Sequence, residues 1–157
     1  MKAAIVAALL LTVATPAQAG FNPVEFFRGH TRGDGVLKVI FQSSKRIVVD
    51  NEGMAEKDGS LLLKQTIHEP NKPPRIRYWR MKQTAHNRFD GTLTDAASPV
   101  RVDVVRDGIR IRYRGKDHLN FDQMLTAVSP REVHTKLRVK RFGLVVAHFD
   151  EVIRKLD

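Results

Sequence analysis

The chain has 157 residues and a strongly basic composition, with 27 lysine and arginine residues against 17 aspartate and glutamate residues, a net charge of +10 at pH 7. It has no cysteine, which excludes disulfides, a thiol nucleophile and a lipidated cysteine at an export cleavage site. The length suits one domain with a real hydrophobic core, and the charge points to a polyanionic partner or to a well-solvated surface.

Residues 1–19 have the layout of a secretory signal peptide. A basic start is followed by the apolar run Ala3 to Ala14 and by the small-x-small cleavage site Ala17-Gln18-Ala19. A membrane-spanning helix needs about 20 apolar residues, and this run ends at Thr15-Pro16. We therefore expect cleavage after Ala19, a mature chain of residues 20–157 and export to the bacterial periplasm.

Export changes what the positive charge implies. A basic chain with aromatic residues among its cations, as in RIRYWRMK (Arg75 to Lys82), is otherwise typical of nucleic-acid binding. Outside the cytoplasm the available polyanions are phospholipid headgroups, lipopolysaccharide phosphates and acidic polymers. We therefore expect no nucleic-acid partner. The charge then either keeps the protein soluble or contacts an anionic membrane surface.

Beyond residue 20 the pattern predicts strands separated by tight turns. Asp-Gly pairs, which favour hairpins, begin at Asp34, Asp58, Asp90 and Asp107. Ten strands at short, even spacing predict an all-β fold, an antiparallel barrel or sandwich in one domain. The predicted strands are Val36–Gln42, Arg46–Asn51, Ser60–Glu69, Arg75–Gln83, Arg88–Thr94, Val100–Arg106, Ile109–Arg114, Leu119–Val128, Glu132–Arg141 and Leu144–Arg154.

Helical signals are scarce. Pro23–Arg28 is a short candidate near the mature N-terminus, since proline fits the first turn of a helix. The closing segment FDEVIRKLD (Phe149 to Asp157) fits either a strand or a helix.

The segment RDGIRIRYRG (Arg106 to Gly115) carries four arginines, whose direction depends on strand register. With Asp107 and Gly108 as the two turn residues, Asp103 pairs with Arg112, and the arginines lie opposite the apolar face. The strand 132–141 alternates in the same way. The residues of this outer wall predicted to contact an anionic surface are Arg110, Arg112, Arg114, Lys136, Arg138 and Lys140.

The opposite faces predict the interior. A barrel of about eight strands is just wide enough to be filled by side chains or to hold one small ligand, and the sequence leaves both alternatives open. The predicted inward residues are Leu37, Val39, Phe41, Leu61, Leu63, Ile76, Tyr78, Val102, Val104, Ile111, Tyr113, Phe121, Leu137 and Val139. The four predicted to line a ligand site are Phe41, Tyr78, Tyr113 and Phe121.

Catalytic and metal-binding motifs are missing from the sequence. No Gly-x-Ser-x-Gly occurs, and the six histidines show neither His-x-His nor His-x-x-x-His spacing. We therefore expect a protein without enzymatic activity, metal or cofactor.

Several segments, in order, resemble a known family. They are FFRGHTRGDGVLK (Phe26 to Lys38), RIRYWRM (Arg75 to Met81), RFDGTLTD (Arg88 to Asp95), IRIRYRG (Ile109 to Gly115) and the long segment 119–149. Together they resemble DUF 3833, a domain of unknown function of bacterial exported proteins. The resemblance implies an antiparallel lipocalin-like β-barrel of about 8–10 strands and brings no established activity with it.

Two functions suit such a barrel best. The first is a periplasmic protein that binds a small apolar or amphipathic, lipid-like molecule in the barrel or at its mouth. The alternative is a non-enzymatic structural or interaction protein of the envelope, with a filled barrel and a basic surface that contacts anionic lipids. A third alternative, an enzyme, is disfavoured by the missing motifs. A cavity distinguishes the first function from the second, and a polar cluster inside it would favour the third. The sequence identifies no protein partner.

Overall fold

The computed structural model describes residues 20–157, so the expected signal peptide lies outside the described residues. Within these residues, one short helix precedes ten antiparallel strands that form a closed barrel, in which each strand pairs with its sequence neighbours and the last pairs with the first. The elements are α1 (Pro23–Phe27), β1 (Gly29–Val39), β2 (Lys45–Ala55), β3 (Leu61–His68), β4 (Arg75–Ala85), β5 (Arg88–Leu93), β6 (Val100–Val105), β7 (Gly108–Arg114), β8 (Leu119–Ser129), β9 (Glu132–Arg141) and β10 (Leu144–Lys155).

The all-β prediction is thus confirmed, with a strand at each of the ten predicted places and a helix where proline suggested one. The closing segment is strand up to Lys155, because β10 pairs with β9 on one side and with β1 on the other. Those two ladders satisfy backbone groups that a helix would have satisfied internally.

Helix α1 closes one end of the barrel, which we call the helix end. The Asn22 side chain caps the helix by accepting a hydrogen bond from the Val24 backbone nitrogen at 2.9 Å, and Pro23 occupies the first turn. The last two residues of the helix, Phe26 and Phe27, are buried. Gly53 on β2 allows the end of the helix to pack closely against this strand, since a Cβ there would lie 1.7 Å from the Phe27 carbonyl oxygen. The opposite end, formed by the β1–β2, β3–β4, β5–β6, β7–β8 and β9–β10 turns, is called the rim end.

Two of the four Asp-Gly pairs, at Asp34 and Asp90, lie inside strands and not in turns, so the hairpin signal is wrong at these two places; the predicted strand Arg88–Thr94 already contained the second pair. Their glycines serve close packing. A Cβ at Gly35 would lie 2.5 Å from the Phe149 ring, and one at Gly91 would lie 2.1 Å from the Arg80 carbonyl oxygen. Phe149 is more than a hundred residues from Gly35, and Arg80 lies on the neighbouring strand β4, so a local turn signal contains neither contact.

The β6–β7 hairpin turns at Arg106 and Asp107, one residue earlier than predicted. Gly108 belongs to β7 because it packs against β8, where a Cβ would lie 1.8 Å from the Leu125 carbonyl oxygen. The register shifts by two residues, so Asp103 lies opposite Arg110 and every side chain keeps its predicted face. Arg112 still reaches Asp103 diagonally, at 2.6 Å.

The interior contains two apolar clusters. The larger one fills the helix end and the β4–β7 wall and includes Phe26, Leu61, Trp79 and Ile109. A smaller one lies toward the rim end and consists of Ile47, Val49 and Ile67, with Leu37 and Phe149 packed against it. The space between them holds the polar residues described next.

Candidate functional site

Tyr113 and Phe121 lie inside the barrel, as predicted. They face each other across β7 and β8, and their rings stack with centroids 4.6 Å apart and an interplanar angle of 5°. Tyr113 also meets the edge of Trp79, at 5.8 Å between centroids. Burial raises the pKa of the Tyr113 hydroxyl above its usual value, so this side chain stays neutral.

Phe41 and Tyr78 are not inside the barrel, and their predicted interior placement is wrong. Strand β1 ends at Val39, so Phe41 lies in the following turn and is fully exposed. On β4 the inward face is the opposite of the predicted one: Trp79 and Met81 are buried, whereas Tyr78 is 47% exposed. Ile76 shares the outer face with Tyr78, which makes its predicted interior placement wrong as well.

Arg77 belongs to this inward face of β4 and starts a chain of hydrogen bonds across four strands. Its Nε donates to Gln65 Oε1 at 2.8 Å, and the Trp79 indole nitrogen donates to the same oxygen at 2.5 Å. Gln65 in turn donates to Asn51 at 2.7 Å, and Asn51 donates to Thr31 at 3.1 Å. This network compensates the desolvation of polar groups inside the barrel.

Glu151 faces the same space from β10 and is 7% exposed. Within the described residues its carboxyl accepts no hydrogen bond and forms no ion pair; Arg77 and Asp34 act on it only through their charge. Burial raises the pKa of Glu151 to about 7, against the lowering effect of Arg77. Gly33 makes room for this side chain, since a Cβ there would lie 1.8 Å from Glu151 Oε1.

A central cavity of about 50 Å³ lies between the polar groups and the apolar clusters. Its polar lining consists of Gln65, Arg77, Gln123 and Glu151. The volume has room for a few water molecules and is far below the roughly 300–1,000 Å³ of a pocket that encloses a drug-sized ligand. The barrel therefore has a small polar chamber and not a preformed cavity for a whole lipid.

Burial differs between the two ends of the interior. At the helix end the inward residues Leu61, Ile109 and Val133 are completely buried. Toward the rim end Leu37 and Phe121 are only half-buried. The chamber is therefore sealed below by the helix and lies closer to solvent at the rim end.

The six predicted wall residues, Arg110, Arg112, Arg114, Lys136, Arg138 and Lys140, all lie on the outside of β7 and β9. Asp122 accepts two hydrogen bonds from Arg110, both at 2.8 Å, and one from Arg138 at 3.3 Å. The Arg110 guanidinium holds the pKa of the Asp122 carboxyl below its usual value. Arg112 pairs with Asp103. Two carboxylates thus pair with three of the six predicted wall cations.

Neither Glu151 nor Arg77 was among the predicted site residues, although the sequence pattern around Glu151 indicates that its side chain faces inward. Along β10, Ala147, Phe149 and Ile153 share a face, and period two places Glu151 among them. In β4 charged residues occur on both faces, so alternation does not identify Arg77 as an inward residue.

The described residues 20–157 contain no group of three or more histidine, aspartate or glutamate side chains arranged to hold a metal ion. In the same range, no helix has the length and apolar character that a membrane-crossing helix needs.

Two solved structures share the fold at low sequence identity. The S-type phycobiliprotein lyase CPES from Guillardia theta aligns with a TM-score of 0.66 and 7% identity over 85% of this chain and 90% of its own. A protein of unknown function from the DUF3598 family of Nostoc punctiforme aligns with a TM-score of 0.68 and 13% identity, over 92% of this chain and 53% of its own. These likenesses support the lipocalin-like barrel and show the fold alone.

No curated protein matches the chain. A family model does: the one described as a protein of unknown function, DUF3833, matches residues 11–155, nearly the whole sequence. The resemblance inferred from the separate sequence segments is thereby confirmed, and the chain belongs to the DUF3833 family.

Proposed function

We propose that this protein is a non-enzymatic periplasmic carrier that binds a small amphipathic molecule through the rim end of the barrel. The ligand's polar group occupies the central chamber beside Arg77 and Glu151, and its apolar part lies among the half-buried side chains toward the rim. The observation that carries the proposal is the buried Glu151 carboxyl, which lines a cavity and has no partner in the described chain.

An unpartnered buried carboxyl opposes folding, because its ionised form loses hydration without a compensating hydrogen bond. Such groups are found preferentially at functional sites. Here the group is neighboured by a guanidinium, two glutamine amides and apolar clusters on either side. This combination suits a molecule with one compact polar group and an apolar body.

The charges favour a fatty acid among such molecules. Arg77 offers a cation to a ligand carboxylate, while Glu151 repels it when ionised and can donate a hydrogen bond to it when protonated. Because the pKa of Glu151 is about 7, this donor is available mainly below neutral pH. The shared fold with a phycobiliprotein lyase is compatible with a ligand-binding barrel.

Laurate titration followed by the fluorescence of Trp79, the one tryptophan of the chain, tests the proposal. We expect a saturable change in emission, with binding about tenfold weaker at pH 8 than at pH 6, because the protonated fraction of Glu151 falls by about that factor. Glu151→Gln, which mimics the protonated form, should keep binding and remove its pH dependence.

Asp122→Asn is the matched control, because it neutralises a carboxyl on the outer wall and leaves the chamber unchanged. This variant should keep the wild-type pH dependence. If Trp79 gave no saturable response to laurate at either pH, the interior would not be the binding site.

A further inference from the structure

The rim end carries an exposed apolar patch that the fold does not require. Ile40 and Phe41 belong to the β1–β2 turn, and Phe142 and Leu144 belong to the β9–β10 turn or directly follow it. Phe142 and Leu144 are each 73% exposed, and Phe41 is fully exposed. We call these four residues the apolar rim.

The two turns of the apolar rim lie side by side. The Ile40 backbone nitrogen donates to the Val146 carbonyl oxygen at 3.0 Å, which continues the β1–β10 ladder into the first turn. His118 of the β7–β8 turn stands on the other side, with its ring 5.1 Å from that of Phe142. The apolar rim therefore lies on two neighbouring turns at the edge of the barrel mouth.

Backbone conformation makes these aromatic residues more unusual. Phe41 has φ of 60° and Phe142 has φ of 49°, in the left-handed region where bulky residues are uncommon and glycine fits without strain. Each phenylalanine also exposes its ring to water. Strain and exposure together at two neighbouring turn tips indicate that the rings serve something other than folding.

Cations without ion-pair partners surround the apolar rim. Lys38, Lys116, Lys140 and Arg141 form no salt bridge with any described residue, and the Arg141 guanidinium lies 5.5 Å from the Phe142 ring centroid. On the outer wall, by contrast, Asp103 and Asp122 pair with Arg110, Arg112 and Arg138, and Arg114 and Lys136 are the other wall cations without a salt bridge to any described residue. The rim end thus combines apolar tips with a flank of free positive charge.

We propose that the apolar rim docks the protein on an anionic phospholipid bilayer, with Phe41 and Phe142 inserted among the lipid chains and the flanking cations at the headgroups. Aromatic side chains at turn tips beside lysine and arginine match the apolar-to-anionic gradient of such an interface. A second copy of the chain is a poorer occupant, because its own cations would meet these. The docking does not depend on ligand binding in the chamber.

Vesicle flotation of the mature protein tests the docking. We expect binding to vesicles that mix phosphatidylglycerol with phosphatidylcholine and much weaker binding to phosphatidylcholine alone. The double variant Phe41→Ser, Phe142→Ser should lose at least about tenfold in affinity, since each ring leaves an apolar environment. The matched control Met54→Ser, Val128→Ser removes two exposed apolar side chains that lie toward the helix end and should bind as the wild type does.

Equal vesicle binding by the rim variant and the wild type would overturn the proposal. So would equal affinity of the wild type for vesicles with and without phosphatidylglycerol. A dimer in sedimentation velocity that the rim variant abolishes would also overturn it, in favour of self-association. Failure of the carrier proposal is distinguishable from failure of the docking, because the rim variant should keep the Trp79 response to laurate.

Discussion

Glu151→Gln is expected to increase the free energy of unfolding at pH 8 by about 3 kcal/mol. The folded-state pKa of about 7 lies above the ordinary value of 4.5, and the difference corresponds to about that energy. Between these two values the folded protein keeps a proton that the unfolded chain releases. The wild type should therefore lose stability as pH rises from about 4.5 to 7 and stay at the lower level above it. Glutamine is neutral throughout and removes this loss.

Urea unfolding at pH 5 and pH 8 measures the effect. The carboxyls with lowered pKa, such as Asp58 and Asp122, titrate below this window, so their contribution is lost only under more acidic conditions. Glu52→Gln, which removes an exposed carboxyl paired with Lys64, is the control and should leave the pH dependence as in the wild type. A wild type that gained stability over this interval would contradict the assigned environment of Glu151.

Ile111→Asp is expected to cost at least about 4 kcal/mol, a large part of the stability of a domain of this size. Ile111 is buried in the larger apolar cluster, directly opposite Val102. An aspartate there would bury a carboxyl without a partner and remove a packed side chain. Thermal unfolding monitored by circular dichroism should show a strongly lowered midpoint or no folded state.

The adjacent Arg112→Ala is the matched control. Its side chain lies on the outer wall and loses one exposed ion pair with Asp103, for which we expect a change below about 1 kcal/mol. If Arg112→Ala were the more destabilising of the two substitutions, the assigned faces of β7 would be wrong.

Alternation was sufficient to predict most of the fold. Strand β9 has the predicted bounds, Glu132 to Arg141, because its apolar and charged residues alternate without interruption and Ser129-Pro130 precedes it. The same periodicity placed Ile111 and Tyr113 inside and Arg112 outside, even though the hairpin turn was predicted one residue too late. A two-residue change of register leaves the faces unchanged, so the error had no effect on the predicted interior.

Alternation along β10 indicates the inward direction of Glu151, but the chamber as a whole could not be predicted, because its residues violate the rule that charges face outward. Arg77 is accepted inside only because Gln65, on the neighbouring strand, accepts its hydrogen bond. Glu151 is accommodated because Gly33, more than a hundred residues earlier in the chain, has no side chain. Both conditions are properties of strand pairing across the barrel, and neither appears within a local window of sequence.

The pairing of β1 with β10 also constrains the order in which the molecule forms. Every other ladder joins strands that are adjacent in sequence, whereas this one joins Thr31 to Lys155 and Val39 to Ala147. Hairpins can therefore form as the chain emerges, but β1 has no second neighbour until the final strand is present. Until then two unpaired strand edges stay exposed, and closure must bring together segments separated by most of the chain. The pairing of β1 with β10 is accordingly expected to be the slow step of folding. A chaperone that shields β1 would therefore act on the intermediate that is most prone to aggregation.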